Sequence, residues 1–117
     1  MPAWTAKPSL RPIFGRRHEV DDRLVELLHT SLRHFRFQER AVFPDAFEDE
    51  GLRSVTSRTL VMVGDKEIIY DPDDALGRAR SLIPNVRTVL VADAGHMLNL
   101  EKPGQIDGEL LTLLTSE

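Results

Sequence analysis

A histidine and a carboxylate each stand just beyond a short apolar run. Thr88-Val89-Leu90-Val91 leads through Ala92-Asp93-Ala94 into Gly95-His96, and Leu60-Val61-Met62-Val63 leads into Gly64-Asp65-Lys66-Glu67. Apolar runs of this length closed by glycine-containing turns read as buried strands. A strand is stiff, so a residue on its exit turn is held at the rim of the sheet. An imidazole held there can serve as a general base near neutral pH. A carboxylate on the neighbouring exit turn can orient that imidazole and stabilise its charged form. His96 and Glu67 are therefore the candidate base and acid of a nucleophile–base–acid triad. Asp65 competes for the acid role, but it comes two residues earlier, where the chain has barely left the strand. Ile68, Met97 and Leu98 flank the two turns and are expected to line the wall of a substrate pocket.

Other chemistries find less support. The sequence has no cysteine, which excludes disulfides, thiolate catalysis and cysteine-ligated zinc. His29 and His34 are five apart and miss the i,i+4 spacing that gathers two metal ligands on one helix face. Asp71-Pro72-Asp73-Asp74 fails as a calcium loop, because Ala75 and Leu76 occupy the places that need an oxygen ligand and a glycine. No metal and no organic cofactor are expected. Arg11, Arg16, Arg17, Arg23, Arg33, Arg36 and Arg40 are interspersed with Glu19, Asp21, Asp22, Glu26 and Glu39, and the net charge is −4. That mixture suits a solvated helix face and argues against nucleic acid as a partner. No apolar run approaches the roughly 20 residues that span a bilayer, and the first residues lack the apolar centre of a secretory signal. The expected location is cytoplasmic, away from membranes.

The elements that would position these groups follow from the periodicity. Residues 1–18 are rich in proline and unpatterned, and read as an extended or poorly ordered lead-in. A helix is expected from Asp21 or Asp22 to about Arg36, with Leu24, Leu27, Leu28, Ser31, Leu32 and Phe35 forming one apolar stripe that serves as core packing. Residues 37–50 are expected to form a connector or short helical turns. Strands are expected at 59–63 and 87–92. Between them, Asp71 caps a helix with Pro72 in its first turn, its buried face is Ala75, Leu76, Ala79, Leu82 and Ile83, and Pro84 ends it. Pro103 opens a last helix with Ile106, Leu110, Leu113 and Leu114 pointing inward. Strand–helix–strand–helix order with apolar strands predicts an α/β fold with a parallel sheet. A right-handed crossover then brings both strand ends, and so Glu67 and His96, to one rim. Two strands leave both outer edges unpaired, as expected for the end of a larger sheet. The 117 residues divide into a lead-in and helical segment, 1–50, and an α/β portion, 51–117.

These features resemble the C-terminal third of the α/β-hydrolase family. There the penultimate strand runs into Gly-x-x-acid, as in Val63-Gly64-Asp65-Lys66-Glu67. The last strand ends in Gly-His followed by apolar residues and Glu-x-Pro, as in Gly95-His96-Met97-Leu98-Asn99-Leu100-Glu101-Lys102-Pro103. Ile83-Pro84-Asn85-Val86 also fits, and residues 20–50 are similar to the part of a helical cap that returns to the core. The resemblance implies that His96 is the general base and Glu67 the acid that orients it, at a place where most members carry Asp. It implies hydrolysis of carboxylic esters or similar small carbonyl compounds, without a cofactor. The Gly-x-Ser-x-Gly nucleophile elbow does not occur around Ser9, Ser31, Ser54, Ser57, Ser81 or Ser116. The expectation is therefore a truncated or partial hydrolase carrying two of three triad members and inactive alone, its partner being its missing N-terminal half or a second copy of itself. The alternative is a non-catalytic binding or assembly module completed by another chain through the open sheet edge.

Overall fold

The computed structural model describes residues 11–15, 19–35 and 45–116. Expectations for 1–10, 16–18 and 36–44, and for the Leu32 side chain, lie outside the described residues. Among the described residues, in chain order, a 3-10 turn at Arg11–Ile13 precedes α1 (Asp22–His34), α2 (Asp49–Arg53), β1 (Thr59–Gly64), α3 (Pro72–Leu82), β2 (Val86–Val91), α4 (Leu98–Glu101) and α5 (Pro103–Thr115). Strands β1 and β2 are parallel neighbours, in a register that pairs Thr59 with Val86 and Gly64 with Val91. Both strands therefore finish at the same level, as the crossover predicts.

Helix α3 starts where its sequence dictates. Asp71 is extended, and its Oδ1 accepts from the N–H groups of Asp73 at 2.9 Å and Asp74 at 3.0 Å. Pro72 sits at the first helical position, where no N–H is needed. Leu76, Ala79 and Leu82 are buried, with Ile83 just beyond, as the spacing requires. Arg80 of α3 donates to the Thr88 hydroxyl on β2, so α3 covers the sheet face that carries Thr88. Arg87 points to the other face and pairs with Glu109 of α5. Replacing Asp71 by alanine leaves two N–H groups without their acceptor. The expected loss is about 1 kcal/mol, read from urea unfolding.

Three expectations need correction. Residues 11–15 are part of the packed structure. Phe14 is only 3% exposed and forms a small core with Val20 and Val25, which Ile13, Leu24, Leu28 and Met97 join from the side. This also turns the face of α1. Val25 is buried, whereas Leu27 and Phe35 are 63% and 64% exposed, because the apolar group that α1 meets lies in the preceding segment and not along the full stripe. Finally, no residue of α5 is buried. Ile106 and Leu113 are half-buried, but Leu110 and Leu114 face outward at 44% and 73% exposure. Periodicity gives a helix an apolar face, but burial needs a neighbour to cover it, and the two-stranded sheet is too narrow to cover that of α5.

Candidate active site

The rim where β1 and β2 end is built by two turns in backbone contact. Pairing continues past the strands. Asp65 N–H donates to Val91 O at 2.9 Å, and Lys66 N–H donates to Ala94 O at 2.9 Å. Asp65 turns inward, accepting from Ala94 N–H at 3.3 Å and from the Lys66 ammonium at 2.9 Å. That ammonium holds the Asp65 carboxyl below its ordinary value, against the effect of burial. Asp65 thus ties the two turns together and does not reach His96. The turn after β2 carries Asp93 with φ of 54°, the single non-glycine residue with positive φ among those described. Aspartate is one of the few side chains that enter this region readily.

Glu67 and His96 meet at this rim. His96 Nδ1–H donates to Glu67 Oε2 at 2.6 Å. The other carboxylate oxygen, Oε1, accepts from the N–H groups of Ile68 and Ile69, each at 2.8 Å. The Glu67 side chain is only 2% exposed, whereas that of His96 is 39% exposed. A buried carboxylate normally resists ionisation, but one that accepts several hydrogen bonds favours its charged form. Burial pushes Glu67 up, the Ile69 N–H, the His96 imidazole and the Ile68 N–H pull it down, and the net position is below the ordinary 4.5. An ionised Glu67 has only acceptors to offer, which assigns the proton of a neutral imidazole to Nδ1. The lone pair is then on Nε2, on an accessible ring, where it can accept a proton.

The sign of this shift fixes an acid sensitivity. A carboxyl depressed by folding contributes stability that is fully present above its unfolded value, near 4.5, and lost as pH falls through its folded value. The unfolding free energy of the wild-type chain should therefore drop on acidification below about 4.5. In Glu67→Gln that contribution to the slope should be absent, as pH-dependent denaturant unfolding would record.

The flanking residues take different places. Ile68 is 57% exposed and lines a cleft of about 450 Å³ with Arg11, Pro12, Phe14, Asp65, Lys66 and Glu67. Met97 is half-buried and packs against the Phe14–Val20–Val25 core. Leu98, also half-buried, is the first residue of α4. Two neighbours of the site are not evident from spacing. The Tyr70 ring meets the His96 ring edge to face, centroids 6.4 Å apart. Burial and the negative charge of Glu67 push its hydroxyl above the usual 10.0. Ile13, in the docked segment, accepts the His96 N–H at 2.7 Å. No short-range pattern announces either contact.

The hydroxyls of Ser31, Ser54 and Ser81 are bound to the carbonyls of Leu27, Gly51 and Gly77, within their own helical segments. Each is spent on local backbone.

Residues 12–103 match the family described as alpha/beta hydrolase fold. The chain belongs to the α/β-hydrolase family. The uncharacterized carboxylesterase nap of Bacillus subtilis (strain 168) is 37% identical over 75 residues, which is 64% of this chain and 25% of that protein. Carboxylesterase YbfK of the same organism is 36% identical over 72 residues, 62% of this chain and 24% of that protein. The crystal structure of carboxylesterase CesB (YbfK) from Bacillus subtilis superposes with a TM-score of 0.79 at 27% identity, covering 97% of this chain and 41% of that one. The chain thus spans about a quarter of the curated relatives by sequence, and under half of the related structure. It has the α/β-hydrolase architecture in part, as two parallel strands with flanking helices, and the two curated relatives above are named carboxylesterases. No helix among the described residues is long and apolar enough to cross a membrane.

Proposed function

We propose that this chain carries the acid and the base of a serine-type carboxylic ester hydrolase. The observation that carries the reading is the Nδ1–H bond from His96 to a nearly inaccessible Glu67, which leaves Nε2 as the accessible proton acceptor. A serine presented to Nε2 by the preceding part of a hydrolase core would give up its hydroxyl proton to that nitrogen as its oxygen attacks the ester carbonyl. The carbonyl electron pair moves onto oxygen and returns to expel the alcohol, which takes the proton from Nε2. Water then enters, Nε2 removes its proton, and the hydroxide oxygen attacks the acyl carbon. Collapse releases the carboxylic acid and returns the proton to the serine. Glu67 stays ionised throughout and holds the imidazolium that forms in each half-reaction. Ile68, Met97 and Leu98 flank the place where the acyl or alcohol group would lie. The family membership and the carboxylesterase relatives support esters as the substrate class.

The same reading names the partner that the sheet requires. Strands β1 and β2 form a two-stranded sheet among the described residues, and Leu90 and Leu111 are 48% and 61% exposed. The remainder of a hydrolase core, with its serine strand, would pair the open edge and cover such surface. The direct test replaces the matching part of carboxylesterase YbfK by this chain and follows hydrolysis of a p-nitrophenyl ester. The graft should turn over the ester and be silenced by a serine-directed phosphonate. A folded graft that binds the ester but does not cleave it would overturn the proposal.

A further inference from the structure

We propose that Glu101 is a positioning residue for His96, a role that rests on His96 acting as the base. Its carboxylate joins the turn that carries the imidazole to the segment docked from the start of the chain. Glu101 Oε1 accepts from Gly95 N–H at 3.0 Å, and Oε2 accepts from Gly15 N–H at 2.5 Å. Gly95 precedes His96 directly, and Gly15 is 86 residues from Glu101 in sequence. Beside this bridge, His96 N–H donates to Ile13 O at 2.7 Å. The peptide units on both sides of Gly95 are therefore held by partners outside the turn itself.

The two backbones lie too close for any side chain between them. A Cβ on Gly95 would stand 2.6 Å from Ile13 O and 2.7 Å from Phe14 C. A Cβ on Gly15 would stand 2.7 Å from Asp93 O and 2.8 Å from Glu101 Oε2. Both glycines are buried, so removing the carboxylate would leave each N–H without its acceptor and let the two backbones part and admit water more often. A carboxylate suits the task because it has only acceptor atoms and can serve two N–H donors at once. Helix α4 delivers it: Glu101 is the last residue of that four-residue helix, which begins two residues after His96. Phe14, next to Gly15, is packed against Val25 of α1 and against Met97. The latch therefore seats the His96 turn on the same apolar group that holds α1, and the imidazole is fixed from the backbone as well as from Glu67.

The test uses the 117-residue chain labelled with ¹⁵N, as wild type, Glu101→Ala and Glu101→Gln. Solvent exchange is read at the Gly15 and Gly95 amides and at the His96 Nδ1 proton shared with Glu67. In Glu101→Ala both amides should exchange about ten- to a hundredfold faster, and the Nδ1 proton should exchange at least tenfold faster, while the Val61 and Val63 amides of β1 keep their rates. Glutamine retains one acceptor oxygen and turns a donor toward the second N–H, so one of the two amides should lose protection and the Nδ1 proton should fall between. If Glu101→Ala does not fold, the glutamine variant decides alone by this pattern. Unchanged Nδ1 exchange in the folded variants, even with a lowered melting temperature, would make Glu101 a purely structural residue and overturn the proposal. Absence of the Nδ1 resonance from the wild-type chain counts instead against the acid–base reading, and the two amide rates still judge the latch.

Discussion

Replacing His96 by alanine in the YbfK graft is expected to lower kcat by about 10⁴- to 10⁶-fold, with KM little changed. The size follows from the role proposed for Nε2. It would take the proton from the attacking serine, give it to the leaving alcohol and remove it from water, so its loss would touch both half-reactions. Glu67→Ala should cost about 10⁴-fold, because the imidazole remains but loses the group that fixes its Nδ1 proton and its orientation. The Ile68 and Ile69 N–H groups that Oε1 satisfies would also lose their acceptor. Steady-state hydrolysis of a p-nitrophenyl ester measures both effects. A graft in which His96→Ala retains a tenth or more of the activity would show that another group accepts the proton.

Gly64→Ala should produce the largest loss of stability of any single methyl added at the rim. A Cβ at Gly64 would collide with Ala94 O and stand 2.6 Å from Gly95 O. Both are backbone atoms of the turn that carries His96, so no side-chain rotation can relieve the clash. The turns must separate, breaking the bond from Lys66 N–H to Ala94 O and loosening Ala94 from Asp65. The expected cost is about 3 kcal/mol or more, seen as a lowered denaturant midpoint with the Glu67–His96 bond weakened. Gly77 provides the contrast. It lies inside α3, and a methyl added there would meet nothing within 4 Å. Gly77→Ala should therefore stabilise by roughly 0.5–1 kcal/mol through backbone entropy. Equal behaviour of the two variants would contradict this account of the rim.

Much of this architecture is legible in the residues because the decisive signals are local. Asp71-Pro72 marks a helix start through a side-chain acceptor and a missing N–H, both properties of adjacent residues. The apolar runs at 60–63 and 88–91 announce strands, and a parallel crossover of fixed hand then brings Glu67 and His96 together without further information. The Glu67 preference over Asp65 also has a local root, since Asp65 comes where the chain has barely left β1 and Glu67 lies two residues further along the exit turn. What is not legible depends on approach between distant backbones. Proline-rich composition gives no hint that Phe14 is buried or that Ile13 receives the His96 N–H. Nor does helical spacing tell that α1 buries Val25 where Leu27 and Phe35 stay exposed, because its partner lies before the helix. Glu101 is visible as a motif residue, but its two acceptor bonds exist only once residues 13–15 have docked.

If Glu67 and His96 act as one unit, a double-mutant cycle on ester hydrolysis by the graft will read their coupling. If Glu67 works only through His96, the variant lacking both side chains loses no more kcat/KM than His96→Ala alone. Losses that multiply, so that the double variant is slower by the product of the two single factors, would mean that the two residues serve the reaction independently and would contradict the account.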